Sequence, residues 1–256
     1  MNPDKLKTLF DMTGRVVIVT GGTRGIGRSL AEGYISAGGK VVIASRKADA
    51  CKETEDHLRS LGGEAIGVPT HVGELDDVTE LVRRTVEEFG GVDVVVNNAA
   101  TALAQPIGSY TADAWQKSID VNLRGPVFLV QEAIPHLKKS AHGAVLNILS
   151  GAAFMYSSTV SLYATAKAAL LAQTRSAAAE LAPFGIRVNA LAPGTVDTDM
   201  VRATTPESQA VMANIMLLKR MAHPDEMVGP ALLLTSDAGS FITGQVLLVD
   251  GGMVPH

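Results

Sequence analysis

The feature that most constrains the fold of this chain is the alternation of short apolar runs with helical patterns. Apolar runs that alternate with helices are typical of parallel strands buried on both faces of a sheet. The sequence therefore predicts an α/β protein: a single doubly wound domain of Rossmann type, with a central parallel sheet of about seven strands and helices on both faces. The predicted strands are RVVIVT (15–20), KVVIAS (40–45), EAIGVP (64–69), VDVVVNNA (92–99), GAVLNILS (143–150), GIRVNALAP (185–193) and QVLLVDGG (245–252). The predicted helices lie at about 25–38, 48–61, 75–90, 111–137 and 161–182.

The chain shows no Pro- or Ser-rich linker that would divide it into several domains. We expect residues 1–13 to form an N-terminal extension and residues 14–256 to form one domain. The stretch 197–222 breaks the alternation, carrying several methionines and only weak helical signals. We expect it to be an excursion over the carboxyl edge of the sheet, where ligands of such folds bind.

Composition limits the classes of partner and compartment. The net charge of −4 argues against a basic surface for nucleic acid or anionic membrane. Cys51 is the one cysteine, so no intramolecular disulfide is possible, which agrees with a reducing compartment. We expect no signal peptide, no transmembrane helix and, because the histidines are scattered, no metal site. These features predict a cytoplasmic protein with a small-molecule substrate.

A glycine-rich stretch, TGGTRGIG (20–27), joins the first predicted strand to the first predicted helix. In that context glycines allow a tight turn and let the backbone approach a pyrophosphate at a helix N-terminus, where free N–H groups favour anions. The alternative is a glycine turn without a ligand. The predicted contact residues of this loop are Gly21, Thr23, Arg24, Gly25, Ile26 and Gly27.

The end of the second strand bears on which dinucleotide binds. An NAD site usually has an acid there to accept from the ribose 2′-hydroxyl, but this chain has Ser45 and Arg46. A guanidinium suits a 2′-phosphate, and Arg24 could reach the same group. The pattern favours NADP(H) over NAD(H); the alternative is that Arg46 is only a solvated surface residue.

Tyr163 and Lys167 lie four residues apart in the predicted helix SLYATAKAAL, so they share one face. A tyrosine has a pKa of about 10, and a nearby ammonium favours the phenolate; lowering that pKa by ~3 units takes ~4 kcal/mol. A phenol with a pKa near 7 suits proton transfer with an alcohol oxygen. Ser150 ends the fifth strand and could hold that oxygen, and Asn122 could anchor a water behind the lysine. A tyrosine and lysine at this spacing are uninformative alone, so the argument depends on the combination.

This combination resembles the short-chain dehydrogenase/reductase family, across about residues 13–252. TGGTRGIG is similar to the family's TGxxxGxG, NNAA (97–100) to its NNAG, and PGTVDT (193–198) to its nicotinamide-binding segment. The resemblance places four residues on the family's catalytic tetrad: Asn122, Ser150, Tyr163 and Lys167.

The resemblance implies a role for each member of the tetrad. Tyr163 would be the general acid/base, and Ser150 would polarise the carbonyl or alcohol oxygen. Lys167 would bind the nicotinamide ribose and lower the tyrosine pKa, and Asn122 would hold a water in a proton relay. Hydride transfer would belong to the cofactor.

The resemblance also implies the remaining cofactor contacts, with two departures from the family pattern. Ala100 replaces a glycine, and His71 stands where an aspartate usually accepts from the adenine amine. His71 could instead stack or accept through a ring nitrogen. The implied contacts are His71, Val72, Asn98, Ala99, Ala100, Tyr163, Lys167, Pro193, Gly194, the Val196 backbone and the Thr198 hydroxyl.

The apolar residues after Ser150 and the methionines and leucine of the excursion predict a hydrophobic or medium-sized carbonyl or alcohol substrate. These excursion residues are Met200, Met212, Met216 and Leu217. A 3-oxoacyl-carrier-protein reductase is an alternative, although Ala141 and Phe184 lie near positions that are basic in such enzymes; Lys138 and Lys139 are close. A lyase or epimerase and a non-catalytic nucleotide-binding regulator are further alternatives, but the regulator predicts loss of a tetrad member. The resemblance implies a homotetramer, or a homodimer, paired through helices 111–137 and 161–182, with a second interface at the C-terminal strand and tail near 250–252.

Overall fold

The computed structural model describes residues 3–158 and 160–254. The outermost residues of the two predicted segments, 1–2 and 255–256, lie outside the described residues. The predicted division between an extension and one domain stays a prediction.

A seven-stranded parallel sheet forms the centre of the molecule, with the strand order β3-β2-β1-β4-β5-β6-β7. The order reverses between β1 and β4, which is the doubly wound arrangement, and the predicted fold class is confirmed. The strands are β1 (Val16–Thr20), β2 (Lys40–Ser45), β3 (Glu64–Pro69), β4 (Val94–Asn97), β5 (Ala144–Ile148), β6 (Arg187–Pro193) and β7 (Val246–Val249).

Helices cover both faces of this sheet. The α-helices are α1 (Pro3–Thr8), α2 (Gly25–Ser36), α3 (Ala48–Ser60), α4 (Leu75–Phe89), α5 (Ala112–Ile119), α6 (Gly125–Leu137), α7 (Ser161–Leu181), α8 (Asp199–Arg202), α9 (Pro206–Ile215) and α10 (Val228–Thr235). One core lies between the sheet and α2, α3 and α10, and the other lies between the sheet and α4, α6 and α7.

The strands are apolar throughout because alternate side chains enter different cores. In β1, Val17 and Val19 belong to the first core, and Ile18 belongs to the second. All five residues of β1 are buried. Because both faces of such a strand are buried, its sequence does not alternate between apolar and polar residues.

The predicted helix 111–137 is interrupted in the structure. A π-helical turn, Asp120–Arg124, separates α5 from α6. Gly125 begins α6 against the loop after β3, where a Cβ would lie only 2.1 Å from the carbonyl oxygen of Val72. The inserted turn buries Asn122, and turns of this kind are frequent at functional sites.

The sequence also failed to predict α10. Its sequence, VGPALLLT, is apolar on nearly all sides and carries no helical period. In the structure α10 packs on α2 and on the sheet beside β5 and β6. Burial against α2 and the sheet therefore stabilises this helix, although its sequence shows no helical period.

The segment before β1 is attached to the domain. The carbonyl of Leu9 accepts from the backbone N–H of Ala238 at 2.9 Å, and the Met12 N–H donates to the Ala37 carbonyl at 2.8 Å. The Met12 side chain is fully buried in the core of α2 and α10. The predicted excursion carries two short helices, α8 and α9.

Within the described residues no helix combines the length and apolar character needed to cross a membrane. The cytoplasmic location stays a prediction.

Candidate active site

The carboxyl ends of the strands bring most predicted site residues to one edge of the sheet. Gly21 follows β1, Ser45 ends β2, Asn98 follows β4, and Ser150 comes two residues after β5. In parallel sheets of this type the ligand crevice lies at this edge.

The glycine loop forms a concave backbone surface around Gly21, Gly25 and Gly27, called the glycine cradle below, which side chains at these positions would fill. A Cβ on Gly27 would lie 2.2 Å from the Gly21 carbonyl oxygen and 2.4 Å from Asn98 Nδ2. Gly21 and Gly25 both have positive φ, at 65° and 51°, which glycine adopts without steric cost. A Cβ on Gly25 would approach the Thr198 side chain to 3.1 Å. The residues therefore hold a backbone surface open for a ligand.

The N-terminus of α2 is free to receive an anion. Helix α2 begins at Gly25, has no side-chain cap and carries no acidic residue in its first turn. The first N–H groups of a helix lack partners within it, and its dipole favours a negative charge. Together with the cradle, this end fits the pyrophosphate of a dinucleotide.

A network centred on Thr20 joins the loop after β1 to the loop after β4. The Thr20 hydroxyl accepts from the backbone N–H groups of Asn98 and Ala99, each at 3.0 Å. Asn98 Nδ2 donates to the carbonyls of Thr20, at 2.8 Å, and Gly21, at 3.2 Å. Sequence analysis missed Thr20, although its position directly before the glycine loop was a usable signal. Ala100, the first departure, follows this network and is half-buried.

The predicted ribose end of the site lies at the end of β2. Thr23 donates from its hydroxyl to Ser45 Oγ at 3.1 Å, and Arg46 is exposed beside them. Arg24 is also exposed, and its guanidinium is 3.8 Å from the carboxylate of Asp199. The structure thus places Arg24 beside an acid of α8, a contact that sequence analysis did not expect.

Lys167 and Tyr163 lie side by side on α7, as their spacing predicts. Lys167 Nζ lies 5.6 Å from the centroid of the Tyr163 ring and donates to the Ile148 carbonyl at 2.7 Å. The lysine is buried, and burial lowers its pKa to about 8. Its amine therefore reaches the end of β5 from the next helix.

The tyrosine pKa moves in the opposite direction to the expectation. Burial of Tyr163 raises the pKa of its phenol, and a hydrogen bond with the Ser150 side chain opposes this only in part. The phenolate is poorly solvated in this position, so desolvation is the larger effect on the phenol pKa. The predicted lowering by Lys167 is therefore not found in the protein itself.

Ser150 and Asn122 are each fixed by local contacts. Ser150 Oγ accepts from the Ala152 N–H at 3.2 Å and caps the short 3₁₀ turn Gly151–Ala153. Asn122 Nδ2 donates to the carbonyls of Thr101, at 2.8 Å, and Ser118, at 3.0 Å, and its Oδ1 accepts from the Thr101 N–H. The Asn122 side chain thus fastens the β4–α5 loop, and the water relay stays a prediction.

The predicted nicotinamide segment follows β6. Gly194 lies close to Asp250: a Cβ on Gly194 would be 2.8 Å from the Asp250 Cα. Val196 is buried and forms a parallel bridge with Ala222. Thr198 directly precedes α8 and lies beside Gly25 of the glycine loop. The structure therefore brings 193–198 and the glycine loop together.

The substrate side differs from the expectation at Met216. Met216 is buried against Gly251, whereas Leu217, beside Gly252, and Met200 are exposed. Met216 therefore packs the excursion onto the C-terminal segment and does not face an open pocket.

Two further residues lie beside the candidate site. The methyl of Met253 occupies the space where a Cβ on Gly151 would be, directly after Ser150. Tyr110 hydrogen-bonds to Ser161, at the start of α7. Sequence analysis missed both, because neither contact has a local signal.

Comparison with known proteins decides the family. The family model described as enoyl-(acyl carrier protein) reductase matches residues 21–254. The protein named short chain dehydrogenase/reductase astE, from Aspergillus oryzae, is 38% identical over 95% of this chain and 96% of its own length. This chain belongs to the short-chain dehydrogenase/reductase family. A 3-oxoacyl-[acyl-carrier-protein] reductase from Synechocystis is 37% identical, with 95% and 98% of the two chains covered.

A solved structure has the same fold. The Pseudomonas aeruginosa RhlG/NADP active-site complex superposes with a TM-score of 0.91 and 32% identity, covering 96% of this chain and 98% of that one. As a short-chain dehydrogenase/reductase, this chain is an oxidoreductase acting on a carbonyl/alcohol pair with a nicotinamide cofactor. The family prediction is confirmed, while the roles of individual residues stay predictions.

Proposed function

We propose that this short-chain dehydrogenase/reductase transfers hydride between NADP(H) and the carbonyl or secondary alcohol of a hydrophobic or medium-sized substrate. The observation that carries the proposal is the meeting of Ser150, Tyr163 and Lys167 at the end of β5, on the same sheet edge as the glycine cradle. A hydroxyl hydrogen-bonded to a phenol, with an amine 5.6 Å from the centre of the phenol ring, provides the groups that a carbonyl reduction needs.

The chain's own residues bind and orient the oxygen and move its proton. The Ser150 hydroxyl donates to the substrate oxygen, and Tyr163 gives its phenolic proton to that oxygen in reduction and takes it back in oxidation. A raised phenol pKa keeps this proton in place until the alkoxide develops. Lys167 binds the ribose hydroxyls and supplies positive charge beside the phenol. The bound dinucleotide supplies or accepts the hydride.

The preference for NADP(H) is supported by the end of β2. Ser45 and Arg46 stand there without a carboxylate, and Thr23 joins Ser45 to the glycine loop. Arg46 has no ion-pair partner among the described residues, so its guanidinium is available to a 2′-phosphate. Arg24 shares its charge with Asp199 and would contribute less.

The apolar character of the substrate is supported by the side chains around the site. Leu217 and Met200 are exposed at the excursion, and Met253 lies beside the residue that follows Ser150. Exposed apolar side chains grouped beside a catalytic crevice are typical of a binding surface. Flexible methionines suit an adaptable apolar pocket.

A 3-oxoacyl-carrier-protein reductase is the second candidate. It is favoured by the Synechocystis relative and by an exposed basic pair, Lys138 and Lys139. Lys138 Nζ lies 3.5 Å from the centroid of the Phe184 ring, so this cation is held at a defined place on the surface. Faster reduction of a carrier-linked 3-oxoacyl group than of the free ketone would favour this candidate over the first.

A paired titration tests the cofactor assignment first. Purified protein is titrated with NADPH and with NADH, and binding is read from the nicotinamide fluorescence. We expect NADPH to bind at least about tenfold more tightly, because the 2′-phosphate gains charged hydrogen bonds from Arg46. Arg46→Ala should remove most of that preference. Tighter binding of NADH would contradict the assignment, and binding of neither would contradict the function.

We also propose that the enzyme is a homotetramer. Strand β7 lies at one edge of the sheet, and Phe241, shortly before it, is fully exposed. Trp115 of α5 is half-exposed on a different surface. Two separate apolar surfaces provide two separate interfaces, which a closed tetramer uses.

A further inference from the structure

Gly151, which directly follows Ser150, leaves no room for a side chain. A Cβ on Gly151 would overlap the terminal methyl, Cε, of Met253, and it would lie 3.5 Å from Cγ2 of Val254. Gly151 is buried and is not one of the glycines with positive φ, so its backbone conformation is open to other residues. Space alone therefore requires a glycine here, and the side chain of Met253 takes that space.

A turn formed by residues 250–254, called the C-terminal turn below, fixes Met253 in this place. The buried carboxylate of Asp250 accepts from the backbone N–H of Gly252 at 2.9 Å and from that of Val254 at 2.8 Å. The Met253 N–H donates to the Asp250 carbonyl at 3.2 Å. An aspartate that bonds to the backbone following it closes a turn. The bonds on either side of Met253 therefore restrain its backbone.

The C-terminal turn is in turn anchored to the excursion and to the segment after β6. The Leu218 N–H donates to the Gly251 carbonyl at 3.1 Å. The Gly194 N–H donates to the carbonyl of Val249, directly before the turn, also at 3.1 Å. The turn therefore connects the loop that carries Ser150 with the predicted nicotinamide and substrate segments.

The position of the Ser150 hydroxyl depends on the backbone that Met253 contacts. Ser150 is hydrogen-bonded to the Tyr163 phenol. Its Oγ also accepts from the Ala152 N–H at 3.2 Å, within the 3₁₀ turn that begins at Gly151. A shift of Gly151 therefore moves the hydroxyl relative to the phenol. Reacting groups that are misplaced by about 1 Å can lose about 10²-fold in rate.

We propose that Met253 is a positioning residue for carbonyl reduction: its methyl packs on Gly151 and holds the Ser150 hydroxyl against the Tyr163 phenol. The proposal rests on the proposed roles of Ser150 and Tyr163 in proton transfer. Either an empty space or an extra methyl beside Gly151 should lower the rate, because the first leaves the 3₁₀ turn unsupported and the second displaces it.

Exchange of one methyl group between the two positions tests the proposal. Met253→Ala removes the methyl that supports Gly151, and Gly151→Ala adds a methyl that overlaps it. We expect kcat at saturating NADPH and ketone to fall at least about fivefold in Met253→Ala and at least about tenfold in Gly151→Ala. In the double variant the new methyl occupies the space that the old one left, so kcat should return to within about threefold of wild type.

The assay separates the rate of reduction from cofactor binding. The carbonyl probes are cyclohexanone, acetophenone and ethyl acetoacetate, and the one that the wild type reduces fastest is used, with loss of NADPH followed by absorbance. The NADPH dissociation constant, read from nicotinamide fluorescence, should change less than about twofold in all three variants, because the contact supports the proton donor and not the glycine cradle.

Gly63→Ala is the matched control, since a Cβ on Gly63 would overlap the Ile35 side chain directly before β3, at the opposite edge of the sheet. It should lower the thermal unfolding temperature, as Gly151→Ala does, yet leave kcat within about twofold of wild type.

A folded double variant that does not recover the rate lost in Gly151→Ala overturns the proposal. A kcat of Met253→Ala within about twofold of wild type also overturns it, and this variant decides alone if Gly151→Ala fails to fold. A wild type that reduces none of the three probes with NADPH or NADH overturns the proposed function instead.

Discussion

At the residue scale, the site depends on burying an amine that is normally solvated. Lys167 has no carboxylate partner in its hydrogen bonding, and its ammonium donates to the carbonyl of Ile148. Burial lowers its pKa to about 8 from 10.5, so burial of the charged form costs free energy below pH 8. The folded protein is therefore less stable than it would be with a neutral residue at this position, where the proposed chemistry needs a cation beside the phenol of Tyr163.

The pH dependence of stability tests this cost. Between pH 8 and 10.5 the unfolded chain holds a proton on Lys167 that the folded chain has lost, so stability rises with pH in that window. Below pH 8 both states are protonated and the cost is constant. Relative to Lys167→Met, the wild type should gain ~2 kcal/mol of unfolding free energy from pH 8 to pH 10, measured by urea unfolding. Lys47→Met, at an exposed position, is the matched control, and a flat difference for Lys167→Met would show that the ammonium is solvated.

A second prediction at this scale concerns the phenol. Tyr163→Phe should lower kcat by ~10³-fold or more, because no other group replaces the proton donor, and should change the NADPH dissociation constant less than about threefold. Steady-state kinetics and fluorescence titration measure the two quantities. Tyr34→Phe is the matched control, since it removes a buried hydroxyl bonded to Thr235 in a different part of the protein. Near-native turnover by Tyr163→Phe would refute the proposed mechanism.

At the scale of elements, the site is built by strand ends and by the helix that follows each. Helix α2 brings its uncapped N-terminus to the cradle, and α7 brings its amine back to β5. The π turn between α5 and α6 buries Asn122 so that it fastens Thr101. Each element therefore contributes a terminus or an irregular turn to the site, while its regular part packs in the core.

The cradle predicts a sharp difference between two glycine substitutions. Gly27→Ala would place a methyl 2.2 Å from the Gly21 carbonyl, so the loop must move. We expect a loss of roughly 1–3 kcal/mol in unfolding free energy and at least about tenfold weaker NADPH binding. Gly91→Ala, where a Cβ meets no atom within 4 Å, should leave both within error. Thermal unfolding and titration measure them, and unchanged NADPH affinity in a folded Gly27→Ala variant would argue against the cradle.

At the scale of the whole molecule, apolar surface remains exposed after the chain has folded. Phe241 and Trp115 lie in separate regions, one near the β7 edge and one on α5. Exposed apolar surface marks interaction sites where it forms a patch, and we propose that Phe241 and Trp115 each lie in one interface of the assembly.

Sedimentation of the native protein tests the proposed assembly. The wild type should sediment at four times the 26.7 kDa chain mass. Phe241→Glu and Trp115→Glu should each reduce it to a dimer, because each introduces an unpaired charge into one interface only. A wild-type monomer, or a tetramer unaffected by both variants, would contradict the assignment of these surfaces.

Local sequence patterns predicted the strands and the glycine loop, because a buried strand and a glycine turn each depend on a few consecutive residues. The runs ending at Thr20, Ser45 and Pro69 became β1, β2 and β3, and the following glycines became the cradle. A continuous apolar run indicates a strand that is buried on both faces, and a glycine in a turn indicates a close backbone approach or a positive φ. Both are properties of a few neighbouring residues.

The sequence by itself thus determined the parallel sheet, and its motifs predicted which side chains, Ser150, Tyr163 and Lys167 among them, meet at the carboxyl edge of that sheet. Only the tertiary structure decided that burial raises the pKa of Tyr163, that Met253 lies beside Gly151, and that the His71 ring accepts a hydrogen bond from the backbone N–H of Gly73. Helix α10 and the π turn belong to the same group, since packing produces them. The physical reason is that desolvation, close packing and side-chain hydrogen bonds depend on how separate segments meet, or on how a loop folds, and a linear pattern does not encode these.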